Sequence, residues 1–466
     1  MNPRIREYDT RHRFLAFALV IATLLAVTAA DGPFSATPPA AKAGSISLTG
    51  HVDIPSSAYD TDVWGWVDPV TLKEYALVGN NATGLHIVDC SNPASPVVVS
   101  TLDAVPSFDI KTYQHFAYTV DGNYGFAGVE GRIIDIADPA NPVVVGTIPA
   151  GHNLFVDDEG FLYVTYPGLR ILKLRGSPAE PQPWWEKVST EGHDVTVVGD
   201  RLYDFHGYDG TYIYELANRR NPKLIGSILD PTITFHHSGC TSNGEAYLFI
   251  NDEMAVDPSP DIIIFDISRT HMPLKVASIA DPDATAHNSY RIGNFLHVAY
   301  YTAGYRVYDI AEPARPVLVD EYDTTPLTGE GLFKGAWGCY PFSPSGHIYV
   351  NDRPEGFFVF SFDETATGVG EASSKAFDLG QSYPNPFNPE TTIPYRLSRP
   401  SRVELTVYDI AGKRVRLLEE SSRPAGRHRA IWDAKDDHGR RVVSGVYFCR
   451  LEVEGVVKKH KMVLIR

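Results

Sequence analysis

Four histidines stand at the openings of four consecutive repeat units, in the pairs His152-Asn153, His193-Asp194, His236-His237 and His287-Asn288. Neutral imidazole is the commonest side-chain ligand for transition metals, and three or four drawn from neighbouring strands would suit Zn, Fe or Cu. The ligand set this alignment selects is His152, His193, His236 and His287. His237 lies beside it, and Asp194 is positioned to orient a ligand or act as a base. A coordination position left open would permit hydrolysis or oxygen chemistry. Two other readings fit the same residues. Each His-Asn or His-Asp pair could tie one unit to the next through buried hydrogen bonds, or the set could line a pocket for an organic ligand.

Other chemistry-bearing groups are more scattered. Asn251, Asp252, Glu253, Asp257 and Asp261 crowd one long hairpin and could take Ca²⁺, although their spacing fits no EF-hand and a solvated acidic loop has the same composition. Trp184-Trp185 offers either a stacking patch for a surface glycan or protein ligand, or packing between units. The remaining units open with Val63-Trp64, Ile110-Lys111 and Ala336-Trp337, so Trp64 and Lys111 are expected to plug the channel. No GxSxG, HExxH or P-loop pattern occurs, which leaves the common hydrolase and nucleotide-binding classes unsupported.

The units that carry these openings are repeats. Gly84-Leu85-His86-Ile87-Val88-Asp89 runs into Asn92-Pro93 and Pro96-Val97-Val98-Val99, and Gly131-Arg132-Ile133-Ile134-Asp135 runs into Asp138-Pro139 and Pro142-Val143-Val144-Val145. Further copies begin near Gly168, Gly210, Asp261, Gly304 and Gly356, a mean period of roughly 45 residues that matches one four-stranded propeller blade. Short β-branched and aromatic runs between Gly, Asn, Asp and Pro give the strand-and-turn pattern, with no sustained 3.6-residue apolar period. The fold class expected is therefore all-β, a seven-bladed β-propeller followed by a small Ig-like sandwich. The last unit lacks its Pro-containing follow-on, and Ile46–Ile54 resembles the run Val143–Ile148. That N-terminal strand is predicted to complete the last blade and close the ring.

The repeats resemble the LVIVD repeat, which Leu85-His86-Ile87-Val88-Asp89 nearly spells. From about Gly50 to Asp363 the chain is similar to the choice-of-anchor B family of exported proteins. The matching stretches include His193-Asp194-Val195, His236-His237-Ser238-Gly239, Asn251-Asp252-Glu253, His287-Asn288 and Tyr300-Tyr301-Thr302-Ala303-Gly304. The resemblance implies a shared body attached to varying surface anchors, and no particular activity.

A small, polar linker over 364–376 leads into a last unit, 377–466, whose alternating runs (Val403, Leu405, Val407; Val446, Phe448, Leu451) read as an Ig-like sandwich. It resembles the C-terminal sorting domain of type IX secretion substrates and the related Ig-like domain of flagellar hook-capping proteins. The residues that carry the likeness are Tyr383, Pro384, Asn385, Pro386, Phe387, Asn388 and Pro389, together with the terminal Lys461, Met462, Val463 and Leu464. This resemblance implies outer-membrane secretion machinery as a partner and delivery to the surface of a Gram-negative cell through the periplasm.

The ends and the charge agree with export. Arg4, Arg6, Arg11 and Arg13 precede an apolar run ending in Thr28-Ala29-Ala30, a signal-peptide pattern over 1–30, with a Pro/Ala-rich linker over 31–45 before the propeller, 46–363. No later run is long or apolar enough to span a bilayer. Residues 376–466 carry 17 Lys and Arg against 11 Asp and Glu, a net of +6, so the rest of the −16 chain carries −22. An acidic body of that kind argues against nucleic acid as its partner. Cys90, Cys240, Cys339 and Cys449 are too dispersed for a disulfide scaffold and are expected as buried thiols, although Cys240 and Cys339 could pair in an oxidising compartment. Two functions follow: an exported binding or adhesion module delivered by its C-terminal domain, or a metal-dependent hydrolase or oxygenase using the axial histidines.

Overall fold

The computed structural model describes residues 45–465 apart from 55–58, 123–128, 256–258, 326–332, 365–376, 381, 383, 384, 386, 398, 399, 411, 425, 454 and 455. The expected signal peptide, the expected first linker up to residue 44 and most of the expected second linker lie outside the described residues. Within them the chain is all-β, relieved by one short 3₁₀ turn at Asn243–Glu245. No helix among the described residues is long and apolar enough to cross a membrane.

Seven four-stranded antiparallel sheets follow one another among the described residues. Six are built in chain order, over 60–102, 109–148, 154–187, 194–228, 236–279 and 288–322. The seventh takes three strands from 336–362 and its outermost strand, Ile46–Val52, from the other end of the segment. The opening strand of each sheet touches the opening strand of the next, and that of the seventh touches that of the first. These contacts close a ring of blades around an axis, the β-propeller arrangement.

Period-2 alternation drives the stacking, because both faces of each blade are buried. In the first sheet Leu77, Leu85 and Ile87 pack on Ile110, Ala117 and Ile134 of the second. The intervening Ala76, Val78 and Val88 pack on Tyr349, Phe357 and Val359 of the seventh. The Asp that ends the third strand of several units turns the chain, its carboxylate accepting the N–H two residues on: Ser91 from Asp89, Ala137 from Asp135, Ser268 from Asp266 and Ala311 from Asp309.

The pairing of the N-terminal strand follows the repeat residue by residue. In the first six sheets the outer strand carries one extra residue against the third strand; Ile134 pairs with Val144 and Ile133 with Gly146, bulging Val145. Ile46–Val52 does the same, with Leu48 opposite Phe360 and Gly50 opposite Val359. Gly50 is required at that step, since a Cβ there would sit 2.1 Å from the Pro93 carbonyl oxygen of the next blade. Two backbone N–H groups, Ser45 and Ile46, donate to the Asp320 carboxylate at 2.7 Å and fasten the strand to the sixth sheet.

The C-terminal unit is a sandwich of a three-stranded sheet (Phe377–Leu379, Thr391–Leu397, Gly426–Trp432) and a four-stranded one (Ser401–Asp409, Arg414–Arg423, Gly445–Val453, Val456–Leu464). Trp432 fills its core against Phe387 and Tyr447. Two stretches singled out by sequence meet here. The Asn385 side chain donates to Lys461 O (2.8 Å) and accepts Val463 N–H (2.7 Å), and Phe387 pairs beside Leu464. Met462, in that same strand, is buried in the core. Tyr383, Pro384 and Pro386 lie outside the described residues. All four cysteines are buried free thiols.

Candidate functional site

One backbone hydrogen bond defines where each blade meets the axis. The N–H groups of Phe108, His152, His193 and His287 donate to the carbonyls of Val120, Thr165, Phe205 and Ala299, at or next to the end of the second strand of their own sheets. In the fifth sheet a one-residue bulge between His236 and Ser238 moves the register by one. His237 therefore faces the axis, and His236 turns away to bond Thr211 Oγ1 at 2.8 Å. This corrects the expected ligand set, which had His236 in the column. A similar bulge between Ala336 and Gly338 turns Trp337 inward. In the first two sheets the expected openings were one or two residues too far along the chain. Val63 and Ile110 are core, and Asp62, Phe108 and Asp109 reach the cavity.

The outcome is a closed ring of six aromatic side chains. Successive centroids are 5.1 Å (Phe108–His152), 4.4 Å (His152–His193), 4.2 Å (His193–His237), 4.5 Å (His237–His287), 4.0 Å (His287–Trp337) and 5.4 Å (Trp337–Phe108) apart. It surrounds a cavity of about 10 Å³, the scale of a single water or ion.

The tautomers follow from the Nδ1 partners. His152 Nδ1 lies 2.8 Å from Gly122 O, His193 Nδ1 2.9 Å from His237 O, and His287 Nδ1 2.6 Å from Trp337 O. A carbonyl only accepts, so these three Nδ1 atoms carry the proton. His237 Nδ1 lies 3.0 Å from Ser238 Oγ, whose own hydrogen goes to His287 O, so it too donates. In all four neutral rings the lone pair is then on Nε2. Burial keeps them neutral, reinforced at His193 and His237 by the neighbouring imidazoles: His152 is lowered to about 4, His287 to about 3, and His193 and His237 fall well below the ordinary histidine value. The expected blade-to-blade bonding role is present as well, through the Nδ1 bonds that run from one sheet to the next, and it uses a different atom from the one a metal would need.

Glu253, in the turn after the second strand of the fifth sheet, caps this ring. Its carboxylate lies 3.4 Å from His237 Nε2 and 3.6 Å from His287 Nε2, and accepts the Tyr301 hydroxyl. Ligand atoms of His193, His237 and Glu253 all lie within 4.8 Å of one another. The edges of a coordination shell with bonds near 2.1 Å span about 3.0–3.4 Å, so a contraction of at most about 1.4–1.8 Å in the widest separation would gather these three around an ion. Burial raises the Glu253 carboxyl to about 7, against the Tyr301 bond and Arg353, which lower it.

The rest of the acidic hairpin does not join it. Asp252 accepts the N–H groups of Thr234 and Phe235, Asp261 accepts Asp281 N–H and the Tyr300 hydroxyl, and Asn251 bonds Ser238 and His287 O. Asp257 lies outside the described residues. The described side chains thus form no Ca²⁺ cluster there. Asp194 also departs from expectation. It turns into a second layer along the axis, accepts Val195 N–H at 2.6 Å, and lines a separate cavity of about 30 Å³ with Trp64, Lys111 and Tyr290. Lys111 plugs that layer as expected, with Nζ 2.5 Å from Asp109, 3.1 Å from Asp62 and 4.3 Å from the Trp64 ring centroid. Burial drives Asp194 up to about 8. Trp184 packs on Phe161 with the Arg220 guanidinium 3.8 Å from its ring centroid, a packing role rather than an open patch.

Sequence reasoning missed Phe108 at the axis and the roles of Glu253, Tyr301 and Arg353. The signal was available one strand further on: each of the last three follows the end of a second strand, after Asp252, Tyr300 and Asp352. Aligning only the opening strands hides it.

Comparison with known proteins agrees with this architecture. The chain contains LVIVD repeats at residues 69–104, 107–149 and 292–324, and a FlgD Ig-like domain at 388–455. No curated protein matches the chain. Among solved structures it is similar to the WD40 β-propeller domain of Doa1 (9% identity, TM-score 0.50, 69% of this chain and 98% of that one). It is also similar to the periplasmic gluconolactonase PpgL of Pseudomonas aeruginosa (12% identity, TM-score 0.48, 80% and 99%) and the Cps50 (Swd1) β-propeller domain of Myceliophteria thermophila (10% identity, TM-score 0.48, 68% and 100%). At 9% identity the likeness to the Doa1 domain speaks to the fold alone, a β-propeller.

Proposed function

We propose that this chain is an exported metal-binding β-propeller. In this reading His193, His237 and Glu253, flanked by His152 and His287, hold a first-row transition ion on the axis. The observation that carries the reading is the division of labour within each imidazole. Four Nδ1–H groups are tied to a neighbouring carbonyl or hydroxyl, and this orients four Nε2 lone pairs as second-shell bonds orient metal-ligating histidines. Two nitrogens and a carboxylate suit Zn²⁺ or Fe²⁺, and such an ion would supply Lewis acidity or oxygen chemistry there. The C-terminal domain would serve as the export and surface-delivery module. This rests on the resemblance of the Tyr383–Pro389 segment and the terminal strand to type IX sorting domains.

A second reading, a non-catalytic binding or adhesion module, is favoured by the size of the axial cavity. At about 10 Å³ it admits an ion and little more, so a larger partner would have to bind elsewhere on the propeller. Elemental analysis of the purified full chain tests the metal reading. Near-stoichiometric transition metal is expected in wild type and in His236→Ala, and not in a His193→Ala/His237→Ala double variant. Absence of metal from wild type after incubation with Zn²⁺, Fe²⁺ and Cu²⁺ would overturn it and leave the binding-module reading.

A further inference from the structure

Three successive sheets project a side chain onto the same mouth of the histidine ring: Glu253, Tyr301 and Arg353. The first two are engaged with each other and with the imidazoles. Arg353 is held differently. Its guanidinium carbon lies 4.2 Å from the Trp337 ring centroid and 4.8 Å from that of Tyr59, and Trp337 is itself the ring neighbour of His287 at 4.0 Å. Cation–π contacts use the face of a guanidinium, so its hydrogen bonds can be made only from its edge. On that edge Nε is buried and has no hydrogen-bond partner among the described residues. Buried N–H groups of a charged side chain are rarely left in that state, and one that is calls for an explanation by an absent ligand or solvent.

We infer that Arg353 is the anion-recognition residue of the axial centre, and that the ligand taken at this mouth is a small carboxylate. One carboxylate oxygen would be directed at the ion and another at the guanidinium edge. This rests on the reading that the axis holds a metal. The charge supports it: a divalent ion, Arg353 and Lys111 carry four positive charges against at most three negative ones on Glu253, Asp62 and Asp109, and a planar carboxylate matches the guanidinium fork. The carboxylate would sit in the mouth above the ring, since the cavity within it has room for the ion alone.

Calorimetric titration of the Zn²⁺-loaded full chain with oxalate tests this, with Arg353→Met and Arg353→Lys beside wild type. Oxalate is expected to bind wild type, with affinity reduced at least thirtyfold in Arg353→Met and about tenfold in Arg353→Lys, while metal content stays the same in all three. Equal oxalate affinity in wild type and a metal-loaded Arg353→Met, or no oxalate binding to loaded wild type, would overturn the inference and leave the metal reading standing. If wild type takes no metal, the same titration is run on the metal-free chain. Binding lost in Arg353→Met would then retain the anion site without the ion, and no binding would overturn both. Thermal melts identify a variant that fails to fold, and Arg353→Lys, which keeps the charge between the two rings, then decides the outcome.

Discussion

At the scale of single residues, the buried histidines set how the fold responds to acid. His297 lies in the sixth sheet away from the axial ring, bonded to the Tyr305 hydroxyl at 2.6 Å, and burial lowers it to about 3. Between pH 6.5 and 3 the unfolded chain binds a proton there that the folded chain does not. The contribution of His297 is therefore complete above about 6.5 and is lost as pH falls through 3. His297→Gln is expected to flatten the fall in melting temperature below pH 6. Asp261 has the opposite sign. Burial raises it to about 7, so its stabilising contribution is complete below about 4 and lost as pH rises through 7. Asp261→Asn should gain stability relative to wild type between pH 5 and 8, by on the order of 2–4 kcal/mol from a shift of about three units. Denaturant titrations across that range check both slopes. The histidine column was legible from spacing because one residue type recurred at one place in four repeats. The choice between His236 and His237 was not, because the bulge that decides it is a single extra residue with no signature in a His-His pair.

At the scale of the strand, the ring is closed by Ile46–Val52. Its assignment was readable from sequence, since the match to Val143–Ile148 extends to the glycine after the bulge, Gly50 with Gly146. Asp320 receives two N–H groups at the start of that strand. Asp320→Ala should cost about 2–4 kcal/mol, as two hydrogen bonds to a charged group at 1.5–3 kcal/mol each would predict with some overlap, seen as a lower urea midpoint at unchanged slope. Deleting residues 45–52 should expose Phe358 and Phe360 on a bare edge and promote aggregation relative to wild type, read by light scattering. The strand Thr391–Leu397 was not readable. Pro394 interrupts its apolar alternation, and proline argues against an interior strand, yet here it faces Arg429 across the pairing and only its carbonyl is used by Gly380.

At the scale of the molecule, the chain joins an acidic propeller to a basic sandwich, and the legible part was the modular order rather than the chemistry. Repeats and turn residues specify blades because each blade is a local pattern. The axial site draws its residues from the opening strands and later turns of several distant sheets, so no window of sequence contains it. The sandwich holds its own version of such a long-range tie. Asn385, in the segment that carries the sorting resemblance, bridges Lys461 and Val463 in the last strand. Asn385→Ala should speed hydrogen exchange at the Val463 and Ile465 amides by about tenfold or more, from loss of roughly 1.5 kcal/mol of local stability, while amides of Ser401–Asp409 stay protected. Unchanged exchange at Val463 would show that the two stretches are held together without that side chain.

Because the seventh sheet takes strands from both ends of the propeller segment, Ile46 pairing with Phe362, the order in which the chain is made matters. The strand that closes the ring is the first part of the propeller to be synthesised, and its partner is the last. Six sheets can assemble as their residues appear, but the axis, and with it the histidine ring, acquires its final geometry only when Trp337 and the strands after it arrive. A metal supplied before that moment would meet an open, incomplete set of ligands. On the proposed metal reading, loading would be coupled to completion of the chain, and a truncated product would be left both unlatched and empty.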